Sequence, residues 1–414
     1  MLTEREQELN EVFRRLAESL DIPPSKYRQA VERYETVGRW LEDGNYNGCP
    51  DTPEVSPQGS FRLGTVVRPL KDGKEADYDI DLVCRIDQVK SATTAAALKA
   101  AVGDRLKENA DYARMLDEEG RRCWTLEYAE EDGIGFHMDI LPAIPDEDTA
   151  KRNLIVQGVP WEYAQHAVAI TERDGHGGRY SWTVGGSNPK GYAAWFANRN
   201  LPMFAKVADH QKRLLVEAPG SIYCRVEEVP DALVRTPLQR AVQILKRHRD
   251  MRFLGHKWEG EKPISIVITT LAAQAYQNES DVYTALANIV DRLDRYAALL
   301  RPGAVLTEDL AGRLIEKKDG HWHIPNPVNP GENFADRWNK SGSHRAEAFF
   351  QWVRWVKQDL DAATRAGDLS EVELLLTPIF GKRAADAAIA RDKDRKAPAV
   401  VAIKSNPSKP WGHG

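Results

Sequence analysis

The spacing of hydrophobic positions in this chain changes along its length and divides it into helical and strand-rich stretches. Residues 3–19 and 25–42 follow a helical period, the second opened by Ser25 and carrying Tyr27, Ala30, Val31, Tyr34, Val37 and Leu41 at three- and four-residue steps. From about Glu54 to Ile144 the pattern becomes short alternating runs. YDIDLVCRI (78–86), CWTLEYA (123–129) and GFHMDILPAI (135–144) predict strands of one mixed sheet. Residues 171–200, rich in Gly, Asn and aromatics, show no clear period and read as loops with short pieces of structure. Helices return at Thr236-Pro237, an N-cap followed by proline at the first helical position, with Leu238, Ala241, Val242, Leu245 and Arg249 on one face. Further helices fit 264–278, 280–299 and 343–364, whereas 397–414, with three prolines and no period, reads as a mobile tail.

The pattern predicts an α+β protein in four parts: N-terminal bracing helices (1–45), a mixed-sheet core (46–230), a helical lobe (231–381) and a C-terminal tail (382–414). With 414 residues and 42% hydrophobic content, the chain has enough apolar surface to fill sizeable cores. The apolar stretch 264–276 is too short and too polar to cross a bilayer, and MLTEREQELN lacks the apolar region of a signal peptide. A cytoplasmic protein with no membrane partner is expected. Cys49, Cys84, Cys123 and Cys224 stand far apart, which suits reduced core residues better than a disulfide framework or a zinc site. The net charge of −5 argues against strong nucleic-acid binding.

In DYDIDLV the acids Asp77, Asp79 and Asp81 are two residues apart, so on a strand they share one face while Tyr78, Ile80 and Leu82 fill the other. Neighbours on that face lie about 7 Å apart. Ionised carboxylates this close repel one another unless a proton or cation sits between them. An isolated D-x-D is more often a solvated strand face, but GFHMDILPA supplies another acid, Asp139, on a second apolar strand. Three carboxylates can hold two divalent cations about 4 Å apart, the spacing that activates a hydroxyl and stabilises a leaving pyrophosphate. Mg2+ prefers such oxygen ligands and shares them with substrate phosphates. Upstream, Gly59-Ser60 in QGSFRLGT follows a short strand signal; glycine permits close approach of a phosphate and serine offers N–H and hydroxyl. Alone, this pair is an ordinary turn.

The order GSFRLGT, YDIDLV, FHMDILPA resembles the polymerase-beta-like nucleotidyltransferase superfamily. The later blocks SNPKGYAAWF (187–196), PLQRAVQILKRHRD (237–250), KPISIVITTLAA (262–273) and IPNPVNPGENFADRW (324–338) are similar to those of bacterial cGAS/DncV-like nucleotidyltransferases, the CD-NTases. The resemblance runs from the N-terminal helices to about residue 380. It implies a two-lobed nucleotidyltransferase core with a helical lobe. It also implies that Asp79, Asp81 and Asp139 are catalytic ligands of two Mg2+ ions, with Mn2+ as a substitute, and that Asp139 accepts the attacking hydroxyl's proton. Gly59, Ser60, Lys246 and Ser265 would bind the triphosphate; read from the residues alone, Lys246 lies on a charged helix surface and Ser265 is a helix cap. Asp77 matches no metal position.

The implied activity is synthesis of a cyclic di- or trinucleotide signal from nucleoside triphosphates, ATP among them, with release of pyrophosphate. The product would activate a separate effector in antiphage defence (CBASS). In some such systems a ubiquitin-transfer-like ancillary enzyme joins the C-terminal glycine to another molecule, which makes Gly414 a conjugation candidate; a chance terminal glycine is the plain alternative. Rival activities are nucleotide transfer to RNA or protein, or a catalytically dead nucleotide-binding module, for which loss of one of the three aspartates is expected. Tyr180, Trp182, Tyr192 and Trp195 read as core or loop anchors more readily than as base-stacking groups. His321 and His323 read as a surface turn, and Arg62, Arg68, Lys71 and Lys74 as a solvated face.

Overall fold

The computed structural model describes residues 3–390, apart from 47–48, 50–51, 69, 72–73, 76, 132–133, 176–177, 219–220, 302, 305–306, 308–309 and 311–313. Gly414 and the segment read as a mobile tail lie outside the described residues. Helix α1 (Glu4–Ser19) is closed at its start by a capping box in which Thr3 and Glu6 satisfy each other's backbone N–H groups. Helix α2 (Pro24–Glu42) follows, and here Ser25 lies inside the helix, the N-cap being Pro23. Next come strand β1 (Glu54–Gln58), the four-residue helix α3 (Gly59–Arg62) and strand β2 (Tyr78–Arg85). Helix α4 (Ala95–Lys107) separates these from β3 (Trp124–Glu131) and β4 (Ile134–Pro145), which are followed by β5 (Val168–Arg173) and β6 (Tyr180–Trp182).

These six strands form one mixed sheet in the order β1-β2-β4-β5-β6, with β3 added along β4. β2 and β4 run parallel, and β1 is antiparallel to β2. Alternation sorts the side chains of β2: Tyr78, Ile80, Leu82 and Cys84 point into a core shared with α2 and α4 through Ala30, Val37, Leu41, Leu98 and Val102. Burial of each large apolar side chain there contributes roughly 1.5–3 kcal/mol. The opposite face begins with Asp79 and Asp81 and becomes apolar further along, where Val83 joins Leu141, Ala143, Val168 and Ile170.

The stretch read as loops after residue 171 turns into a 29-residue helix, α5 (Pro189–Glu217). Asn188 caps it and Pro189 takes its first position, while Tyr192, Phe196, Asn200 and Met203 form its buried stripe. That stripe is spaced four, four and three residues apart, a helical signal masked by the surrounding Gly and Asn. Helix α6 (Pro237–Phe253) starts at Thr236 as expected, with Gln239 completing a capping box. α7 (Ser265–Ala275), α8 (Val282–Asp294) and α9 (Arg345–Arg365) occupy the helical windows predicted for them. α10 (Leu369–Phe380) and α11 (Lys382–Ile389) close the described chain, and α11 buries Ala384, Ala385 and Ala388, so packed structure continues beyond residue 381.

The two N-terminal helices do not act as one brace. α1 contributes Leu9, Val12, Phe13 and Leu16 to the helical cluster that contains α6, α7 and α8, whereas α2 packs on the sheet. Of the four cysteines, all free, only Cys84 is buried, and Cys224 is exposed, which corrects their reading as core residues. His321 lies exposed in an antiparallel ladder of His321–His323 with Glu316–Lys318, not in a bare turn. Arg68 leaves the expected solvated face: it is largely covered, and its Nε donates to the Asp21 carbonyl at 2.8 Å.

Candidate active site

The parallel register of β2 and β4 sets Asp81 directly opposite Asp139, and Asp79 opposite His137. Gln58 of β1 lies across from Asp81 on the other side. Paired residues project from the same face, so Asp79, Asp81 and Asp139 share one surface, as the spacing predicts. Asp139 is oriented by Thr125 of β3, whose hydroxyl donates to Asp139 Oδ1 at 2.6 Å. Asp79 keeps 79% of its side chain exposed. Asp77 turns to other work, accepting the Gly135 N–H at 2.6 Å and lying 3.3 Å from His137 Nε2.

The Gly59 turn abuts these acids. Gly59 has φ +62°, and a Cβ at this position would fall 2.1 Å from Asp81 Oδ2, so both conformation and space require glycine. Ser60 follows in the first turn of α3. Burial, reinforced by the charges of Asp139 and Asp79 and opposed by Lys246, pushes the Asp81 carboxyl up to about 6. Among the described residues neither Asp81 nor Asp139 forms an ion pair with Lys or Arg.

Lys246 departs from the exposed position read from its helix. Its side chain is buried, and Nζ donates to both the carbonyl and the hydroxyl of Thr65 at 3.1 Å. Burial, with help from Arg249, pushes this ammonium down to about 7, while Asp250 and Asp81 act against that shift. The long lysine stem fills the interface between α6 and the segment after α3, which a helical wheel alone does not reveal. Ser265 is exposed at the first position of α7, the N-cap being Ile264, and its hydroxyl accepts from Arg249 Nη1 at 3.1 Å.

A cleft of about 1040 Å³ opens beside Asp81, the one of the three acids that lines it. Gln58, Gly59 and Asp81 line it on the sheet side, Arg121 and Arg122 line it from the segment just before β3, and Ile264, Glu332 and Arg337 come from the helical side. Sequence reasoning missed Arg121, Arg122 and Glu332. The paired arginines of EEGRRCWT were a visible signal, and Glu332 stood inside a quoted block without a role. Tyr192 is a buried anchor at the cleft wall, its hydroxyl 2.7 Å from that of Thr270, in keeping with its reading as core; Trp195 packs against it, and Tyr180 hydrogen-bonds Glu119.

The donor set suits a divalent cation that is completed from outside the protein. Carboxylates on one face supply hard oxygen ligands, although among the described residues no group of three His, Cys, Asp or Glu side chains is placed to hold a metal ion by itself. Mg2+ fits such an open arrangement because it keeps waters and takes substrate phosphate oxygens as ligands.

Residues 53–142 match the model of the nucleotidyltransferase domain of DncV-like cyclic GMP-AMP synthases. The chain is 27% identical over 376 residues to a c-di-GMP synthase of Roseivirga ehrenbergii, covering 90% of this chain and 84% of that protein. It is also 27% identical over 387 residues to the cyclic dinucleotide synthase CdnG of Bradyrhizobium diazoefficiens, covering 91% and 81%. The solved structure of that CdnG in complex with GTP superposes with a TM-score of 0.61 at 21% identity, covering 92% of this chain and 98% of that one.

Proposed function

The chain is a CD-NTase, a nucleotidyltransferase of the DncV-like family, and on that premise we propose that it joins nucleoside triphosphates into a cyclic di- or trinucleotide with the aid of Mg2+. The observation that carries this reading is the in-register pair Asp81–Asp139 beside Asp79, in which neither Asp81 nor Asp139 has a basic ion-pair partner among the described residues, with Asp81 lining a cleft large enough for nucleotides.

In the proposed mechanism Asp79, Asp81 and Asp139 would hold two Mg2+ ions, whose charge would polarise the α phosphate and lower the pKa of the attacking ribose hydroxyl. Asp139 receives that hydroxyl's proton. Its Oδ1 accepts from the Thr125 hydroxyl, which orients the carboxylate for that role. Gly59 leaves room for the donor nucleotide's phosphates, and Ser60 and Ser265 offer hydroxyl donors from opposite lobes. Lys246, buried against Thr65 and outside the cleft lining, would act on the same phosphates only after leaving that bond or through its charge at a distance. The new phosphodiester bond forms as the bond to pyrophosphate breaks, and a second round closes the linear product into a ring.

The cyclic product would act as a signal to an effector in antiphage defence, made in the cytoplasm. No helix among the described residues is long and apolar enough to cross a membrane. The test is incubation of the purified protein with Mg2+ and labelled nucleoside triphosphates, followed by phosphatase. A small phosphatase-resistant product that contains no free phosphate end supports the reading; label transferred to RNA or protein overturns it.

A further inference from the structure

Glu332 lies in the strand Asn329–Asn333 and lines the cleft, far in sequence from the aspartates. Its Oε2 accepts a hydrogen bond from Asn326 Nδ2 at 2.7 Å, which fixes the plane of the carboxylate. Among the described residues it forms no ion pair and no other hydrogen bond. Burial raises its proton affinity, opposed by the Asn326 bond and by the charge of Arg122. A carboxylate set this way in a ligand cleft has acceptor capacity left over. The same cleft carries apolar surface able to meet the flat face of a base: Val184 and Ile264, both exposed, line it together with Ile266.

The four bases differ in what they present to a carboxylate on the Watson–Crick edge. Guanine offers two adjacent donors, N1–H and N2–H, which match two carboxylate oxygens. Adenine offers the N6 donor next to the N1 acceptor, and cytosine the N4 donor next to N3; in both, a lone pair faces the carboxylate. Uracil has one donor between two acceptors. Hydrogen bonds to this edge are a general means of reading a base held in a pocket.

We propose that Glu332 reads the Watson–Crick edge of guanine, so that GTP is a preferred substrate of this cleft. The proposal rests on the reading of the cleft as the nucleotide site, and it puts guanine first where ATP was expected among the substrates. A site built to bond specific donors discriminates strongly, because the wrong base leaves its buried polar groups unpaired.

The test is calorimetric binding of non-hydrolysable GTP and ATP analogues with Mg2+, to the full-length protein and to Glu332→Gln and Glu332→Ala. The wild type should favour the GTP analogue by about 10²-fold or more. Glu332→Gln keeps an acceptor for Asn326 and presents one donor and one acceptor, the complement of adenine, so it should lose that preference and gain ATP-analogue affinity. Glu332→Ala should lose the preference with no such gain. Equal binding of both analogues by the wild type, or an unchanged preference in both variants, overturns the assignment. Because binding is read apart from turnover, failure to make a cyclic product would sink the synthase reading and leave this result standing.

Discussion

The sheet and the helix that faces it treat charge in opposite ways. On the sheet, Asp79, Asp81 and Asp139 crowd one face, and among the described residues their one ion-pair partner within 4 Å is His137, 3.9 Å from Asp79. On α6, the buried cations have acceptors: Arg240 pairs with Asp21 at 2.6 Å, Lys246 bonds Thr65, Arg247 donates to the Arg68 carbonyl, and Arg249 meets Asp250 and the Pro263 carbonyl. His248 and Arg252 share Asp359. Buried charge that is satisfied within the protein holds the lobes together. Charge left uncompensated on a cleft floor is a cost that only a ligand removes, and it marks where chemistry occurs.

The sharpest way to break this contrast is to neutralise the acids. Asp79→Asn with Asp81→Asn should lower product formation by about 10³-fold or more and leave the circular dichroism spectrum unchanged. Asp139→Asn should abolish chemistry to a similar degree while retaining part of the nucleotide binding. Gly59→Ala should also lose activity, because its Cβ would displace Asp81. On α6 the effect should be smaller. Lys246→Ala should raise the KM for nucleoside triphosphate by about tenfold and also lower thermal stability, since Thr65 loses its buried donor. Unchanged kinetics with lowered stability would place Lys246 among the purely structural cations.

The metal-free acids should also show in the pH dependence of stability. The Asp81 carboxyl lies at about 6 in the folded protein against an ordinary value of 3.8, so the folded state binds its proton more tightly. The strain is absent below the ordinary value, develops as pH rises through 6, and is fully present at pH 8. Asp81→Asn should therefore stabilise the metal-free protein at pH 8, by an amount on the order of 2 kcal/mol, and have no such benefit at pH 4. Thermal melts at the two pH values check this. The smallest effect is expected at the C-terminus: deletion of Gly414 should leave synthesis by the isolated enzyme unchanged, and intact-protein mass spectrometry from cells carrying the ancillary enzyme would reveal whether this glycine is conjugated.

The acidic face was legible in the sequence because alternation in a strand fixes which side chains travel together, and YDIDLV and FHMDILPA each carry their acids among apolar residues. The start of α6 was legible for a similar local reason, in the cap and proline of Thr236-Pro237. What depends on distant segments was not. The exposed lysine of a helical wheel became a buried one because residues 65–68, about 180 positions away, lie across α6. Arg122 and Glu332 meet the same cleft from opposite lobes, and nothing in the spacing of either records the other. The helix α5 was missed because local composition outweighed a sparse stripe whose partners belong to the other lobe.

The central claim, that the three aspartates form an open site for two cations shared with the substrate, is tested most directly by counting bound Mn2+ by electron paramagnetic resonance. The wild type with a non-hydrolysable triphosphate should bind about two ions per chain, and the Asp79→Asn, Asp81→Asn double variant should bind none at the same concentrations. Equal occupancy in the two proteins would contradict the account.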